Sequence, residues 1–129
     1  MTIAAWNGHT ATVNALVGTH GANVHAVDRH YRKTALMQAA YYGHTATVNA
    51  LAGTHGANVD AMDSNGKTAL MWAAQKGHTD IVNLLAGTHG AKVDAVDEDG
   101  MTALMYAAES RRTATVNALK AFSHDRSRR

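Results

Sequence analysis

Thr68 to Leu85 reads T-A-L-M-W-A-A-Q-K-G-H-T-D-I-V-N-L-L, and Gly90 to Thr102 continues G-A-K-V-D-A-V-D-E-D-G-M-T. The opening recurs 34 residues earlier at Thr34 and 34 residues later at Thr102. Aligning 34–67 with 68–101 leaves 23 of 34 positions identical. A period in this range is the signature of a repeat architecture, and it decides the fold before any other property is weighed. All 11 glycines fall into columns, among them Gly8, Gly43 and Gly77, then Gly18, Gly53 and Gly87. Six of the nine histidines do the same: His9, His44, His78 and His20, His55, His89. The first interval is 35 because the loop Asp28–Lys33 carries one extra residue.

Within a unit the pattern predicts helix, turn, helix, loop. Thr68 is placed to cap a short helix with its hydroxyl. Leu70, Ala73 and Ala74 then recur at the spacing of one helical face. Gly77 ends the helix, since glycine enters the left-handed region without penalty. A second helix is predicted from Thr79 to Ala86 with Ile81, Val82, Leu84 and Leu85 apolar. Val93 and Ala95 alternate with polar neighbours into the turn dipeptide Asp99-Gly100. Helices of fewer than about ten residues are marginal alone. They gain stability by stacking on the next unit, which makes the chain a solenoid held by nearest-neighbour contacts.

At 129 residues the chain has the length of one domain. Its 46% hydrophobic and 17% charged residues exclude a disordered chain. The absence of cysteine excludes disulfides, thiol nucleophiles and thiolate zinc sites. No run approaches the roughly 18 apolar residues of a membrane span, and Met1–Asn7 has no secretory pattern. These features place the chain, by expectation, in the cytoplasm or nucleus.

The two quoted stretches resemble the ankyrin repeat, whose pattern runs T-P-L-H-x-A-A-x-x-G-H-x-x-I-V-x-x-L-L and then G-A-x-V-N-A-x-D-x-x-G-x-T. The resemblance covers roughly residues 1–122 and implies an alpha-alpha superhelix: helix-turn-helix units joined by β-hairpin-like loops. The units are about 1–33, 34–67, 68–101 and 102–122, followed by a polar, basic C-terminal tail, 123–129, expected to fray. Several departures stand out. The family's Pro and His become Ala35/Met37, Ala69/Met71 and Ala103/Met105, so the Thr–His hydrogen bond of the family is expected to be lost, with a thioether filling space instead. The family unit is typically 33 residues, and here the exit after the second helix is one residue longer. At the family's Ile position only Ile81 is aliphatic, with Thr12, Thr47 and Thr115 elsewhere, so 68–101 is expected to be the best-packed unit and each buried hydroxyl to need a partner. Arg111-Arg112 stands where Gly77-His78 stands, which puts Arg111 at a strained backbone position. The first helix begins without T-A, consistent with a segment of a longer array serving as a spacer, or with an uncapped repeat prone to self-association; otherwise a monomer is expected.

The resemblance implies a non-enzymatic scaffold that binds another protein through hairpin tips and the concave face of the first helices. The residues support this independently. Of the 11 differences between the two full units, eight lie on first helices or the hairpin side. Six of seven aromatics lie there too: Trp6, Tyr31, Tyr41, Tyr42, Trp72 and Tyr106. Tyr and Trp dominate interface hot spots. Trp72, Tyr106, Tyr42 and Tyr41 are therefore the expected anchors. Gln38, Lys76, Ser64, Lys67, Glu98 and Met101 form the expected polar surround, with Tyr31, Asn65, Gln75, Asp99 and Glu109 beside them. The competing reading is that these rings merely cover Ala39, Ala73 and Ala107. Net charge by unit runs +2, −1, −3 and +4, so the first tip is basic and the third acidic. A partner along the tips would meet that sign change.

Other chemistries find little footing. No phosphate loop, G-x-S-x-G or converging catalytic set occurs, and no cofactor is implied. Column histidines about 10 Å apart cannot share an ion, which leaves only His20, His25 and His30 as a metal cluster to test. The basic end, Arg111 to Arg129, would attract phosphate, but the acidic unit 68–101 interrupts any basic stripe, so nucleic acid is disfavoured as a partner.

Overall fold

The computed structural model describes residues 8–19 and 21–127. The readings for Met1–Asn7, including Trp6, and for His20 lie outside these residues. The described chain is helical, a linear pile of units with no strand among the described residues. The first helices are α2 (Ala35–Tyr42), α4 (Ala69–Lys76) and α6 (Ala103–Glu109). The second helices are α1 (Thr10–Asn14), α3 (Thr45–Asn49), α5 (Thr79–Asn83) and the long α7 (Thr113–Ser127).

Each first helix begins as the sequence dictates. Thr34, Thr68 and Thr102 are extended, and their hydroxyls accept the N–H groups of Met37, Met71 and Met105 at 3.1, 3.3 and 3.2 Å. The expectation that methionine cannot replace the family's histidine bond needs correction at one of its three positions. Met37 Sδ accepts the backbone N–H of Thr34 at 3.5 Å, closing a reciprocal cap with a soft acceptor. Gly43 and Gly77 end α2 and α4 at φ 78° and 75°. Arg111 takes the same left-handed conformation, φ 59°, and its neighbour Arg112 does the histidine's work. His78 Nε2 lies 3.0 Å from the carbonyl of Tyr41, one unit back, and Arg112 Nε–H donates to the equivalent carbonyl of Gln75 at 3.4 Å.

The same columns explain why glycine is required twice over. A Cβ on Gly43 would come within 2.8 Å of the His78 ring, and one on Gly8 within 2.6 Å of His44. A Cβ on Gly77 would meet Arg112 at 2.7 Å. The glycine both turns the chain and leaves room for the next unit's side chain.

The second helix is not one α-helix as the pattern suggested. α1, α3 and α5 each pass into a five-residue π-helical turn: Ala15–Thr19, Ala50–Thr54 and Leu84–Thr88. His55 N–H reaches Ala50 O at 3.0 Å and His89 N–H reaches Leu84 O at 3.1 Å, both spanning five residues. A π turn is an α-helix with one residue inserted. The extra residue of the 34-residue unit is absorbed there. α7 lacks the A-G-T-H-G exit and runs on without a π turn to Ser127, so its backbone continues five residues past the boundary placed at 122.

The loops bend back as narrow hairpins. Asp28, Asp63 and Asp97 N–H groups donate to Lys33, Lys67 and Met101 carbonyls at 3.0, 2.9 and 3.1 Å. Neighbouring tips are stitched together by Ser64 N–H to Tyr31 O at 2.8 Å and Glu98 N–H to Asn65 O at 3.0 Å. The core is aliphatic, with Leu36, Leu51, Leu70, Ile81, Leu85 and Leu119 sealed. Ala39, Ala73 and Ala107 let the first helices approach closely. In 68–101 the loop residues Ala91 and Val93 are buried, whereas Ala57 and Val59 are only half-buried one unit earlier. The buried threonine hydroxyls do find partners: Thr47 meets Thr10 at 2.6 Å and Thr115 meets Thr79 at 2.8 Å.

Candidate functional site

The hairpin and the helix that follows it make one local module. Its floor is set by the aspartate column Asp28, Asp63 and Asp97. Each aspartate Oδ1 closes its own turn. Asp63 accepts from the N–H groups of Asn65 and Lys67 at 2.9 and 3.0 Å. Asp97 accepts from those of Asp99 and Met101, both at 2.9 Å. Asp28 accepts from Tyr31 at 2.9 Å and Lys33 at 3.3 Å.

The second carboxylate oxygen reaches the first helix in two of the three modules. Trp72 Nε1–H donates to Asp63 Oδ2 at 3.2 Å. Tyr106 donates its hydroxyl to Asp97 Oδ2 in a short bond. That pairing has electrostatic consequences. Burial alone would raise the Asp97 carboxyl, but the Tyr106 hydroxyl, two turn N–H groups and Lys67 outweigh it and hold the group below the usual carboxylate range. The Tyr106 phenol moves the other way, raised by burial and by its hydrogen bond to the Asp97 carboxylate, which holds the proton on the phenol.

Lysines bridge these modules. Lys67 Nζ stands 3.5 Å from the centroid of Trp72 and 4.2 Å from that of Tyr106, between the two rings. It also donates to Gln75 Oε1 at 2.6 Å. Lys67 is only 8% exposed, so its placement in an open polar surround is corrected: it is a strut of the face. Burial lowers its pKa, with Asp63 and Asp97 pulling the other way. One module back, Lys33 Nζ lies 4.4 Å from the centroid of Trp72, with those of Tyr31 and Tyr41 at 5.5 and 5.7 Å. Such contacts contribute about 0.5–2 kcal/mol each, more when desolvated.

The aromatics form a continuous strip. Tyr41 meets Trp72 edge-on at 5.3 Å and Tyr42 at 4.7 Å, and Lys76 lies over Tyr41 at 4.8 Å. The picture of rings simply facing outward is too simple. Trp72, Tyr106 and Tyr41 are half-buried, and the first two pack against the core. Tyr31 at 58% and Tyr42 at 40% are the open ones. Ser64, Asn65, Lys76, Glu98, Asp99 and Glu109 are exposed, and Gln38, Gln75 and Met101 half-buried. The expected binding set left out Lys33, the aspartate column and the exposed hairpin column Val27, Met62 and Val96, although Met62 and Val96 are among the differing hairpin-side positions and Asp97 is a recurring loop residue. All of these were marked by their spacing.

On the opposite side the column histidines serve structure. His55 Nε2 lies 2.7 Å from Asn14 Oδ1 and His89 Nε2 lies 3.3 Å from Asn49 Oδ1, tying successive units. No three His, Cys, Asp or Glu among the described residues are grouped to hold a metal. No helix among the described residues is long and apolar enough to cross a membrane.

A family model described as ankyrin repeats, three copies, matches residues 1–97. No curated protein matches the chain.

Proposed function

The chain belongs to the ankyrin-repeat family, and from that premise we propose that it docks a partner protein across the hairpin tips and the first-helix face. Ankyrin repeats are generally protein–protein interaction modules and typically non-enzymatic scaffolds. The observation that carries the finer reading is the lysine–aromatic file on one face. Trp72, Lys67 and Tyr106 are fixed in place by Asp63, Asp97 and Gln75, so they present a rigid surface. Rigid aromatic area loses little conformational entropy on binding. Tyr31, Tyr42 and Met62 stand open beside it. The basic first tip and acidic third tip supply polarity along the file for orienting a partner.

The test uses the two most exposed rings of the strip. Tyr31→Ala and Tyr42→Ala should each shift the melting temperature by no more than a degree or two, as exposed substitutions do. Proteins retained from a lysate of the source cell by the unaltered chain should be lost from a matrix carrying both changes. Retention of the same proteins at the same yield by the double variant would defeat the proposal. Trp72→Ala is a poorer probe, since the indole also holds Asp63.

A further inference from the structure

The three modules are built alike but filled differently. In the second, Trp72 spans from helix to hairpin and donates to Asp63; in the third, Tyr106 does the same to Asp97. The corresponding residue of the first module is Gln38, and the corresponding carboxylate is Asp28. Gln38 makes no such bond. Among the described residues no side chain donates to Asp28, whose Oδ1 takes only N–H groups of its own turn. Where the other modules hold an aromatic ring, this one has a cavity of about 290 Å³ lined by Asp28, His30, Tyr31, Lys33, Gln38 and Tyr42.

Lys33 completes the comparison. Lys67 is held between the ring of its own module, Trp72, and the ring of the next, Tyr106. Lys33 has the ring of the next module, Trp72, at 4.4 Å, while on its own module's side it lines the cavity and has only the more distant rings of Tyr31 and Tyr41, at 5.5 and 5.7 Å. The file therefore runs cavity, Lys33, Trp72, Lys67, Tyr106, with glutamine rather than a ring at the column position that opens it. Inside the chain the place is filled twice, both times by an aromatic that carries a hydrogen-bond donor.

We infer that the cavity between Asp28 and Gln38 is a socket for a tyrosine or tryptophan side chain of a partner protein, its O–H or N–H donated to Asp28 and its ring face set against Lys33. The inference rests on the docking surface proposed above and names the chemistry that surface selects. The volume is near the lower end of ligand cavities, about 300–1,000 Å³, which suits one side chain. The carboxylate is ready to accept: three turn N–H groups and Lys33 overcome the effect of burial and keep it ionised. Aromatics without a donor would leave that charge shielded from water and unanswered, which separates tyrosine from phenylalanine.

Titration of the ¹⁵N-labelled chain with N-acetyl-tyrosinamide, N-acetyl-tryptophanamide and N-acetyl-phenylalaninamide reads the socket directly. The first two should give saturable amide shifts centred on Asp28, Lys33 and Gln38, with the phenylalanine compound about tenfold weaker, the worth of one charge-assisted hydrogen bond. Gln38→Trp should fill the socket from within, raise the melting temperature and remove the shifts. Asp28→Asn keeps the turn acceptor and should bring the tyrosine compound down to the phenylalanine level. Absence of saturable shifts in the unaltered chain, equal affinity for all three compounds, or unchanged binding in both variants would each overturn the inference. These readouts do not involve a captured protein. If the socket fails while Tyr31→Ala and Tyr42→Ala still abolish capture, only the socket falls; if capture fails while the socket binds, the broader surface falls.

Discussion

Gly43→Ala measures how strongly one unit is locked to the next. Two costs are read from the structure. The residue sits at φ +78°, and its added Cβ would lie 2.8 Å from His78 Cε1 and 3.1 Å from Nδ1. The backbone cost for an L-residue in this region is about 1–2 kcal/mol, offset by about 0.4–1 kcal/mol from a stiffer unfolded chain. The contact cannot be relieved without moving a ring whose Nε2 is bonded to the Tyr41 carbonyl at 3.0 Å. Giving up that bond and its packing adds about 1–2 kcal/mol. Gly56 supplies the control: φ is +64° and nothing lies within 4 Å of the added carbon. Gly56→Ala should therefore cost about 1 kcal/mol and Gly43→Ala about 2–3 kcal/mol, or about 4 °C against about 10 °C in a domain of this size. Urea melts followed by circular dichroism give both values. In a His78→Ala background the excess of Gly43→Ala over Gly56→Ala should vanish, because the ring that collides is gone. Equal costs with His78 present, or an excess that survives its removal, would refute the claim that glycine is there for its neighbour's side chain.

The remaining predictions concern two buried charges, Asp97 and Lys67. Asp97 is held below the usual carboxylate range, so the folded state stays ionised at a lower pH than the unfolded chain; its stabilisation is complete above the unfolded value of about 3.9 and is lost as pH falls through the folded value. Asp97→Asn keeps the turn acceptor but loses the charge, and should lower stability by about 1.5 kcal/mol at pH 7 while flattening the acid limb of the melting profile. A variant whose acid limb matches the unaltered chain would remove Asp97 from the account. Lys67 shows the opposite sign: its pKa is lowered from 10.5 by burial, so the fold bears a cost while the ammonium is charged, and that cost is relieved as pH rises from the folded value toward 10.5. The unaltered chain should therefore gain stability as pH rises toward 10.5 relative to Lys67→Met, the residue type already present one unit on at Met101. Parallel stability curves for the two over that range would contradict it.

What the sequence made legible was whatever repeats with a fixed meaning. The T-A-L-M column became capped helices, Gly77 ended one, and Arg111 took up the left-handed backbone its column position requires. What escaped was meaning that depends on a second residue far along the chain. The extra residue per unit was visible, but whether it lengthens a loop or widens a helix is decided by which carbonyl His55 and His89 reach, and they reach across five residues. Arg112 looked like a departure from histidine, yet its Nε–H donates to the carbonyl that the histidine column contacts. The differences Gln38, Trp72 and Tyr106 looked like three choices for an exposed helix face. They become one filled place, another filled place and one cavity only when the aspartate column is seen beneath them. A repeat protein thus carries its own reference states: a change in one column is read correctly only against the partner column it touches. Here that comparison singles out Gln38 as the one position of the three where glutamine stands in place of the column's ring.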